Sequence, residues 1–237
     1  MVMVKITHVI FDFDGVLIDS ETQYSTANQN VLNTWGKEFT LDKKLAMMGT
    51  KKSEAMRTLI RMSDLEGKVT PEEYEKIYDV QLDKLLAEPP ELPGADHLIN
   101  HLFKNKIPMA ICTGSDEWEF DLKTKKLYKK WLEKIPLRVL SGSDPEVKHG
   151  KPAPDPYLVT LQRMAPEVDP ANVLVFEDSI NGVKSALAAG MNCVMIPQWQ
   201  FVNETGKKEI ESLKPRLAEL LDSLEQFKPE RYGLPPF

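Results

Sequence analysis

Two aspartates directly follow an apolar run near the start of the chain. Residues 9–11 lead into Asp12, Asp14 comes two positions later, and Gly15 gives the backbone freedom to turn. Two carboxylates at the end of a buried strand, beside a glycine that permits close backbone approach, suit a cation or a phosphate that a cation holds. Taken alone, this pattern is equally typical of a charged strand end that runs into a turn. The rest of the chain has to decide between the two interpretations.

Polar residues also follow other predicted strands. They are Thr113, Gly114 and Ser115 after the strand 108–112, Glu177 and Asp178 after the strand 173–176, and Lys151 in the loop before a helix that begins at Asp155. In a parallel sheet ligands lie at the carboxyl ends of the strands. We therefore expect all four groups, including the two aspartates, to converge on one crevice.

Four carboxylates in one crevice constrain the chemistry. Asp12, Asp14, Glu177 and Asp178 are the predicted metal ligands. Such carboxylates repel by about 4 kcal/mol per close pair at an effective dielectric constant of about 20, so the cluster needs a cation. Oxygen ligands without histidine or cysteine favour magnesium over zinc.

The remaining groups suit a phosphate. The hydroxyl of Thr113 and the backbone N–H groups of Gly114 and Ser115 are predicted to form an anion cradle at a helix N-terminus, and Lys151 supplies a compact positive charge. A carboxylate nucleophile, a second carboxyl for proton transfer and a divalent metal complete the set. Together these groups predict phosphoryl transfer through an aspartyl-phosphate.

The order of elements predicts an α/β fold with a doubly wound parallel sheet. Strands are predicted at 9–11, 108–112, 138–140, 173–176 and 192–196, and they alternate with helices at 95–105, 116–131, 155–164 and 180–189. Residues 20–89 show no buried strand and predict helices at 21–35, 41–48, 53–62 and 71–87. A proline-rich stretch at 89–93 then returns the chain to the sheet. We predict a core domain of residues 1–19 and 90–237 and a helical domain of residues 20–89.

Composition excludes several classes of protein. The 237 residues, with 42% hydrophobic and 28% charged residues, are typical of a globular protein, and the net charge of -6 argues against non-specific nucleic-acid binding. Cys112 and Cys193 both lie in apolar runs, which is typical of reduced thiols in the cytoplasm. No apolar stretch is long enough to predict a signal peptide or a membrane helix. We expect a cytoplasmic monomer that acts on a small molecule.

The motifs resemble those of a known family. Asp12-Phe-Asp14-Gly15-Val16, Thr113 after its strand, Lys151 in Lys-Pro-Ala-Pro-Asp, and Glu177-Asp178 with Asn181-Gly182 resemble, in order, the four motifs of the haloacid dehalogenase (HAD) superfamily. Residues 20–89 look like the C1 cap of that family. Within it, the stretches 144–152, 174–178, 186–191 and 226–235 are similar to the pseudouridine-5'-phosphatase group. Plant glycerol-phosphate and flavin-mononucleotide (FMN) phosphatases look similar too.

The resemblance implies roles for single residues. Asp12 would attack phosphorus, and Asp14 would protonate the leaving alcohol and then activate water. Magnesium would be held by the Asp12 side chain, the Asp14 backbone carbonyl and Asp178, with Glu177 supporting from close by. Thr113, Gly114 and Lys151 would hold the transferring phosphoryl group. The implied activity is that of a magnesium-dependent phosphomonoesterase for a small phosphorylated metabolite, with pseudouridine 5'-phosphate as the first candidate.

The cap would set the specificity. Gly49, Thr50 and Lys52 fall where related caps present a loop to the substrate, although a helix-connecting turn with solvated lysines fits the same residues. Such caps open and close on the core, with hinges expected near 19–20 and 89–93.

Two alternatives stay open. A phosphosugar mutase of the β-phosphoglucomutase kind shares core and cap, but those mutases carry a histidine on the first cap helix where this chain has residues 23–25, Gln-Tyr-Ser. A binding protein that keeps the fold without turnover is disfavoured by the intact motifs.

The lysine-rich stretch around residues 123–130 is predicted to be structural, with a basic docking patch as the less favoured alternative. Lys123, Lys125, Lys126, Lys129 and Lys130 form the solvated face of a helix in this interpretation, with Leu122, Leu127 and Trp131 turned inward.

Overall fold

A parallel six-stranded sheet forms the centre of the computed structural model, which describes residues 5–47, 52–87, 89–125 and 129–237, with the backbone alone for residues 52–54. The strands are β1 His8–Phe11, β2 Met109–Thr113, β3 Leu137–Leu140, β4 Val173–Glu177, β5 Asn192–Met195 and β6 Glu219–Leu220. Their order is β3-β2-β1-β4-β5-β6, and every adjacent pair is parallel. The predicted α/β class with a doubly wound parallel sheet is confirmed. β1 lies between β2 and β4, so it brings its carboxyl end beside theirs.

Ten α-helices occur among the described residues. They are α1 Glu21–Asn33, α2 Leu41–Met47, α3 Lys52–Met62, α4 Pro71–Leu85, α5 Ala95–Lys104, α6 Glu117–Thr124, α7 Lys129–Lys134, α8 Asp155–Met164, α9 Ile180–Ala188 and α10 Glu204–Leu213. None of the helices in the described part of the chain is long and apolar enough to cross a membrane.

The sheet separates two apolar layers. Val9 and Phe11 of β1 face a layer in which Phe11 stacks on Phe176 with ring centroids 5.2 Å apart. Ile10, between them, faces the other layer, which contains Tyr157 of α8. Because strand side chains alternate between faces, a run of apolar residues is needed when both faces are covered. This explains why the central strands are apolar throughout and why polar residues begin only at their ends.

Several predicted boundaries differ from the observed ones. The single helix predicted over 116–131 is wrong, because α6 ends at Thr124 and α7 begins at Lys129. By contrast, α8 begins at Asp155 and ends at Met164, as predicted. The carboxylate of Asp155 does not cap this helix but accepts a hydrogen bond from the backbone N–H of His149 at 3.0 Å. The prediction omitted β6 and α10 because each carries few apolar residues.

The chain divides into two compact units, Met1–Asp19 with Pro90–Phe237 and Ser20–Pro89. In the second unit, α4 begins at Pro71, as predicted. Thr70 is its N-cap residue and forms a reciprocal capping box with Glu73. Inside this unit the hydroxyl of Tyr74 lies 3.3 Å from Oδ1 of Asn28.

The two chain passages between the units lie side by side in the first unit. The backbone N–H of Asp19 donates to the carbonyl of Pro90 at 2.8 Å, and Ile18 forms an antiparallel bridge with Glu91. The backbone N–H of Leu92 donates to the carbonyl of Leu17 at 2.9 Å. The segment Ser20–Pro89 therefore begins and ends at neighbouring points of the first unit.

Candidate active site

Asp12 stands one residue past the end of β1. Its backbone N–H donates to the carbonyl of Phe176 at 2.9 Å, and its Oδ1 accepts the N–H of Phe13 at 2.8 Å. The side chain is almost fully buried, and Nζ of Lys151 lies 3.3 Å from Oδ1. Its position at the carboxyl end of the central strand is the one predicted, and backbone hydrogen bonds fix it from both sides.

Lys151 links Asp12 to Glu177. Its ammonium donates to Oε1 of Glu177 at 2.7 Å and to the carbonyl of Cys112 at 3.0 Å. Burial alone would lower the pKa of Lys151, but the charges of Asp12 and Glu177 raise it above its ordinary value. Lys151 therefore remains an ammonium between two carboxylates.

Both oxygens of Glu177 accept hydrogen bonds from the protein. Besides Lys151, Oε1 accepts the Tyr157 hydroxyl at 2.6 Å, and Oε2 accepts the N–H and hydroxyl of Ser179 at 3.2 and 3.1 Å. Gly182 makes this arrangement possible, since a Cβ there would lie 1.7 Å from Oε1. The geometry orients Glu177 toward Lys151 and limits its freedom to bind a metal.

Tyr157 is a site residue that the sequence analysis missed. Burial, followed by the charge of Glu177, raises its pKa well above the ordinary value for a phenol, so it stays a hydrogen-bond donor. The Lys151 ammonium lies 5.0 Å from the centroid of its ring. A buried tyrosine on α8 looks like any core aromatic in sequence, and no short motif marks this contact.

Asp178 completes a group of carboxylates. Within the described part of the chain, one carboxylate oxygen from each of Asp12, Glu177 and Asp178 lies within 4.8 Å of the others. Gly15 permits this approach: it has a φ of +75°, and a Cβ there would lie 2.1 Å from Oδ2 of Asp178. The glycine predicted to release the backbone therefore also makes room for a carboxylate.

The group fits a hard divalent cation. Burial raises the pKa of Asp12 to about 7, and the neighbouring charges of Glu177 and Asp14 add to this effect against the opposing charge of Lys151. Three carboxylates thus face one ammonium, and the excess negative charge can be met by a proton or by a metal. Because every side-chain atom that could bind the metal in this group is a carboxylate oxygen, the group suits Mg²⁺.

The carboxylate of Asp14 lies in a second set of contacts. Its Oδ2 accepts the hydroxyls of Thr113 at 3.1 Å and Ser115 at 2.9 Å, and its Oδ1 lies 2.7 Å from Nζ of Lys123. The side chain of Asp14 is therefore not one of the three grouped above. Binding of the metal by the backbone carbonyl of Asp14 stays a prediction.

The solvated position predicted for Lys123 is wrong. Its side chain is 1% exposed, because Phe120, Lys123 and Thr124 form a buried face of α6. The spacing i, i+3, i+4 was the signal that could have found it, since it places Lys123 on the buried stripe of the helix. Lys125, Lys129 and Lys130 are exposed, as predicted, whereas Lys126 and Leu127 lie outside the described residues.

The remaining predicted contacts are placed only in part. Gly114 is exposed, with open space where a Cβ would lie, whereas the N–H of Ser115 donates to the Thr113 hydroxyl at 3.1 Å and is already used within the loop. Gly49 and Thr50 lie outside the described residues, and so does the side chain of Lys52.

The chain belongs to the haloacid dehalogenase-like hydrolase family, whose profile matches residues 9–196. It is 40% identical over 234 residues to (DL)-glycerol-3-phosphatase 1, mitochondrial, of Arabidopsis thaliana, covering 98% of this chain and 75% of the relative. It is 35% identical to the Drosophila melanogaster protein named "Probable pseudouridine-5'-phosphatase", covering 100% of this chain and 97% of the relative. The family resemblance predicted from the motifs is confirmed.

A solved structure shows the same fold. A HAD family hydrolase from Deinococcus radiodurans R1, crystallised with bound phosphate and sodium, has a TM-score of 0.75 to this chain at 23% identity, covering 99% of this chain and 100% of the other. At this level of identity the likeness concerns the fold.

Proposed function

We propose that the protein is a magnesium-dependent phosphomonoesterase that works through an aspartyl-phosphate on a small phosphorylated metabolite. The observation that carries the proposal is the buried carboxylate of Asp12, 3.3 Å from the Lys151 ammonium and grouped with Glu177 and Asp178. A carboxylate held beside a cation and a metal-suited group is equipped to attack an anionic phosphate. Membership of a hydrolase family with phosphatase relatives supports the same activity.

The reaction has two steps in this proposal. An oxygen of Asp12 forms a bond to phosphorus, the bond from phosphorus to the ester oxygen breaks, and the departing oxygen takes the proton of an Asp14 carboxyl group that enters this step protonated. Water then attacks phosphorus, passes a proton to Asp14, and releases phosphate while Asp12 is regenerated. Lys151 neutralises the phosphoryl oxygens, and the backbone N–H of Gly114, an exposed residue, contributes a hydrogen-bond donor. Thr113 and Ser115, whose hydroxyls donate to Asp14, are further predicted contacts.

The metal would be held by the side chains of Asp12 and Asp178 and by the backbone carbonyl of Asp14. Glu177 supports the site from behind, because its oxygens already accept hydrogen bonds from Lys151, Tyr157 and Ser179. When bound, Mg²⁺ supplies positive charge that neutralises the phosphate and the carboxylates around it.

The affinity for Mg²⁺ is expected to depend on pH. Below about pH 7 the Asp12 carboxyl holds a proton that the metal has to displace, whereas above it the carboxylate is already free. We expect the dissociation constant to rise about tenfold for each pH unit below the pKa and to level off above it. Calorimetric titration of the metal-free protein between about pH 5.5 and 8.5 measures this directly.

The Asp12→Asn variant is the matched control for that titration, because it lacks the titrating carboxyl. It should bind Mg²⁺ more weakly, with little dependence on pH across the same range. A wild-type affinity that stays constant down to about pH 5.5 would contradict the assignment of Asp12 as a ligand.

Two substrates are the first candidates, and each is supported by a relative. Pseudouridine 5'-phosphate is favoured by the similarity of motifs and by the Drosophila relative, and glycerol 3-phosphate by the higher identity to the Arabidopsis relative. FMN is a further alternative. We propose that Ser20–Pro89 is the cap that selects among them, with Gly49, Thr50 and Lys52 as candidate contacts. A cytoplasmic location is supported by the buried free thiols of Cys112 and Cys193, and the monomeric state remains a prediction.

The experiment that tests this proposal is phosphate release from a panel of esters, with Mg²⁺ and with a chelator in its place. The panel contains pseudouridine 5'-phosphate, uridine 5'-phosphate, glycerol 3-phosphate, FMN and hexose phosphates. Magnesium-dependent release is expected, and the preferred ester identifies the substrate. Absence of release from every ester, together with isomerisation of a hexose phosphate, would identify a mutase instead.

A further inference from the structure

Lys123 is a buried charge that the proposed reaction does not yet use. It lies on α6, its side chain is 1% exposed, and its ammonium lies 2.7 Å from Oδ1 of Asp14 and 2.8 Å from Oγ of Ser115. Placing an ammonium in this environment costs free energy that its ion pair has to recover. An apolar residue would complete the buried face of α6 without that cost, so stability alone does not account for a lysine here.

The contacts of Lys123 complete a hydrogen-bonded frame around Asp14. Lys123 holds Oδ1, while the hydroxyls of Thr113 and Ser115 hold Oδ2 at 3.1 and 2.9 Å. Because the Ser115 oxygen accepts a hydrogen bond from the Lys123 ammonium, its own hydroxyl hydrogen is directed to Asp14. Both carboxylate oxygens are thus held, and the plane of the carboxyl group is fixed.

We propose that Lys123 is a positioning residue that fixes the carboxyl group of Asp14 for proton transfer to the leaving oxygen, an inference that rests on the proposed phosphatase activity. Proton transfer demands that donor and acceptor atoms meet within hydrogen-bonding distance. Without Lys123, Oδ1 loses its contact with the ammonium, and Ser115 loses a hydrogen-bond donor that directs its hydroxyl. The carboxyl group can then rotate, and productive encounters with the leaving oxygen become rarer.

The test compares two kinds of leaving group in a Lys123→Met variant. An alkyl phosphate such as glycerol 3-phosphate needs a proton on the departing oxygen, whereas p-nitrophenyl phosphate releases a stable phenolate without one. We expect kcat/KM for the alkyl ester to fall by about 10²-fold, the lower end of the range for general acid catalysis, and for p-nitrophenyl phosphate by less than about fivefold. KM for the alkyl ester should change little, because Lys123 orients the acid and does not hold the phosphate.

Three controls keep the test decisive. Lys125→Met, at an exposed lysine just beyond the same helix, should match wild type with both esters. In an Asp14→Asn background, adding Lys123→Met should cause no further loss, as expected for residues that act together. If Lys123→Met does not fold, Ser115→Ala removes the bridging hydroxyl and should show the same selective loss in smaller measure.

Equal losses with both esters, or no loss with the alkyl ester, would overturn the inference, since a purely structural lysine would not distinguish leaving groups. If wild-type protein hydrolyses neither ester with Mg²⁺ present, the proposed function itself fails and the role of Lys123 fails with it. The wild-type measurement therefore separates the two failures.

Discussion

Replacement of Asp12 by asparagine is expected to abolish phosphate release, with kcat falling by at least about 10⁴-fold, because the amide cannot form the aspartyl-phosphate. The side chain keeps its size, and the N–H of Phe13 can still donate to the amide oxygen. Steady-state phosphate release with saturating Mg²⁺ measures the effect. An Asp12→Asn protein with activity near that of wild type would show that another group is the nucleophile.

The fold of Asp12→Asn should be intact. Burial raises the pKa of Asp12 to about 7 in the folded protein, from 3.8, so its ionisation opposes folding as pH rises through that interval. At a pH above the Asp12 pKa of about 7, replacement by asparagine removes an unfavourable buried charge. In metal-free buffer at about pH 8, thermal unfolding should therefore give a Tm no lower than that of wild type. Asp121→Asn, at an exposed position on α6, is the matched control and should keep full activity.

Lys151→Met has the second largest expected effect, because it removes the ammonium that separates Asp12 from Glu177. Activity should fall by about 10³-fold, since the phosphoryl group loses a direct counter-charge. Stability should fall as well: breaking a buried ion pair costs about 3–5 kcal/mol of the free energy of unfolding. Phosphate release and urea unfolding measure the two losses.

Adding Mg²⁺ should affect the stability and the activity of the Lys151→Met variant differently. The metal brings positive charge to the same carboxylates, so it should restore part of the lost stability, whereas activity should stay low. Lys148→Met, at an exposed lysine three residues earlier, serves as the control and should leave both quantities unchanged. An unfolding free energy for Lys151→Met equal to that of wild type without metal would contradict the buried ion pair.

The strand-end residues of the site could be predicted because a parallel sheet leaves little freedom. Apolar runs identified β1, β2 and β4, and the residues that follow them had to meet at one edge. The contact between Lys151 and Glu177, 26 positions apart, agrees with the prediction that the loop before α8 reaches the same edge. Local sequence also defined α4, whose capping box and proline mark its first turn.

Residues that act through buried contacts were harder to predict. Lys123 was assigned to solvent because lysine usually is exposed and because its neighbours are also lysines. Its helical spacing from Phe120 indicates burial, but its partner Asp14 is known only from the structure. Tyr157 meets Glu177 across the interior, a contact that depends on how α8 packs against the sheet. Pairing of this kind is decided by tertiary packing, which a single sequence does not encode in any short pattern.

The side-by-side passages at Asp19 and Pro90 also bear on how such a chain can change through evolution. Because the core already brings these two positions together, an insert between them needs only to close a loop, and each doubling of its length adds about 0.6 kcal/mol of closure entropy. The interval can thus gain, lose or exchange helices while the sheet and its strand-end carboxylates keep their register. In the proposed function, where this insert is the cap, substrate preference can then diverge within the insert at little thermodynamic expense to the carboxylate site.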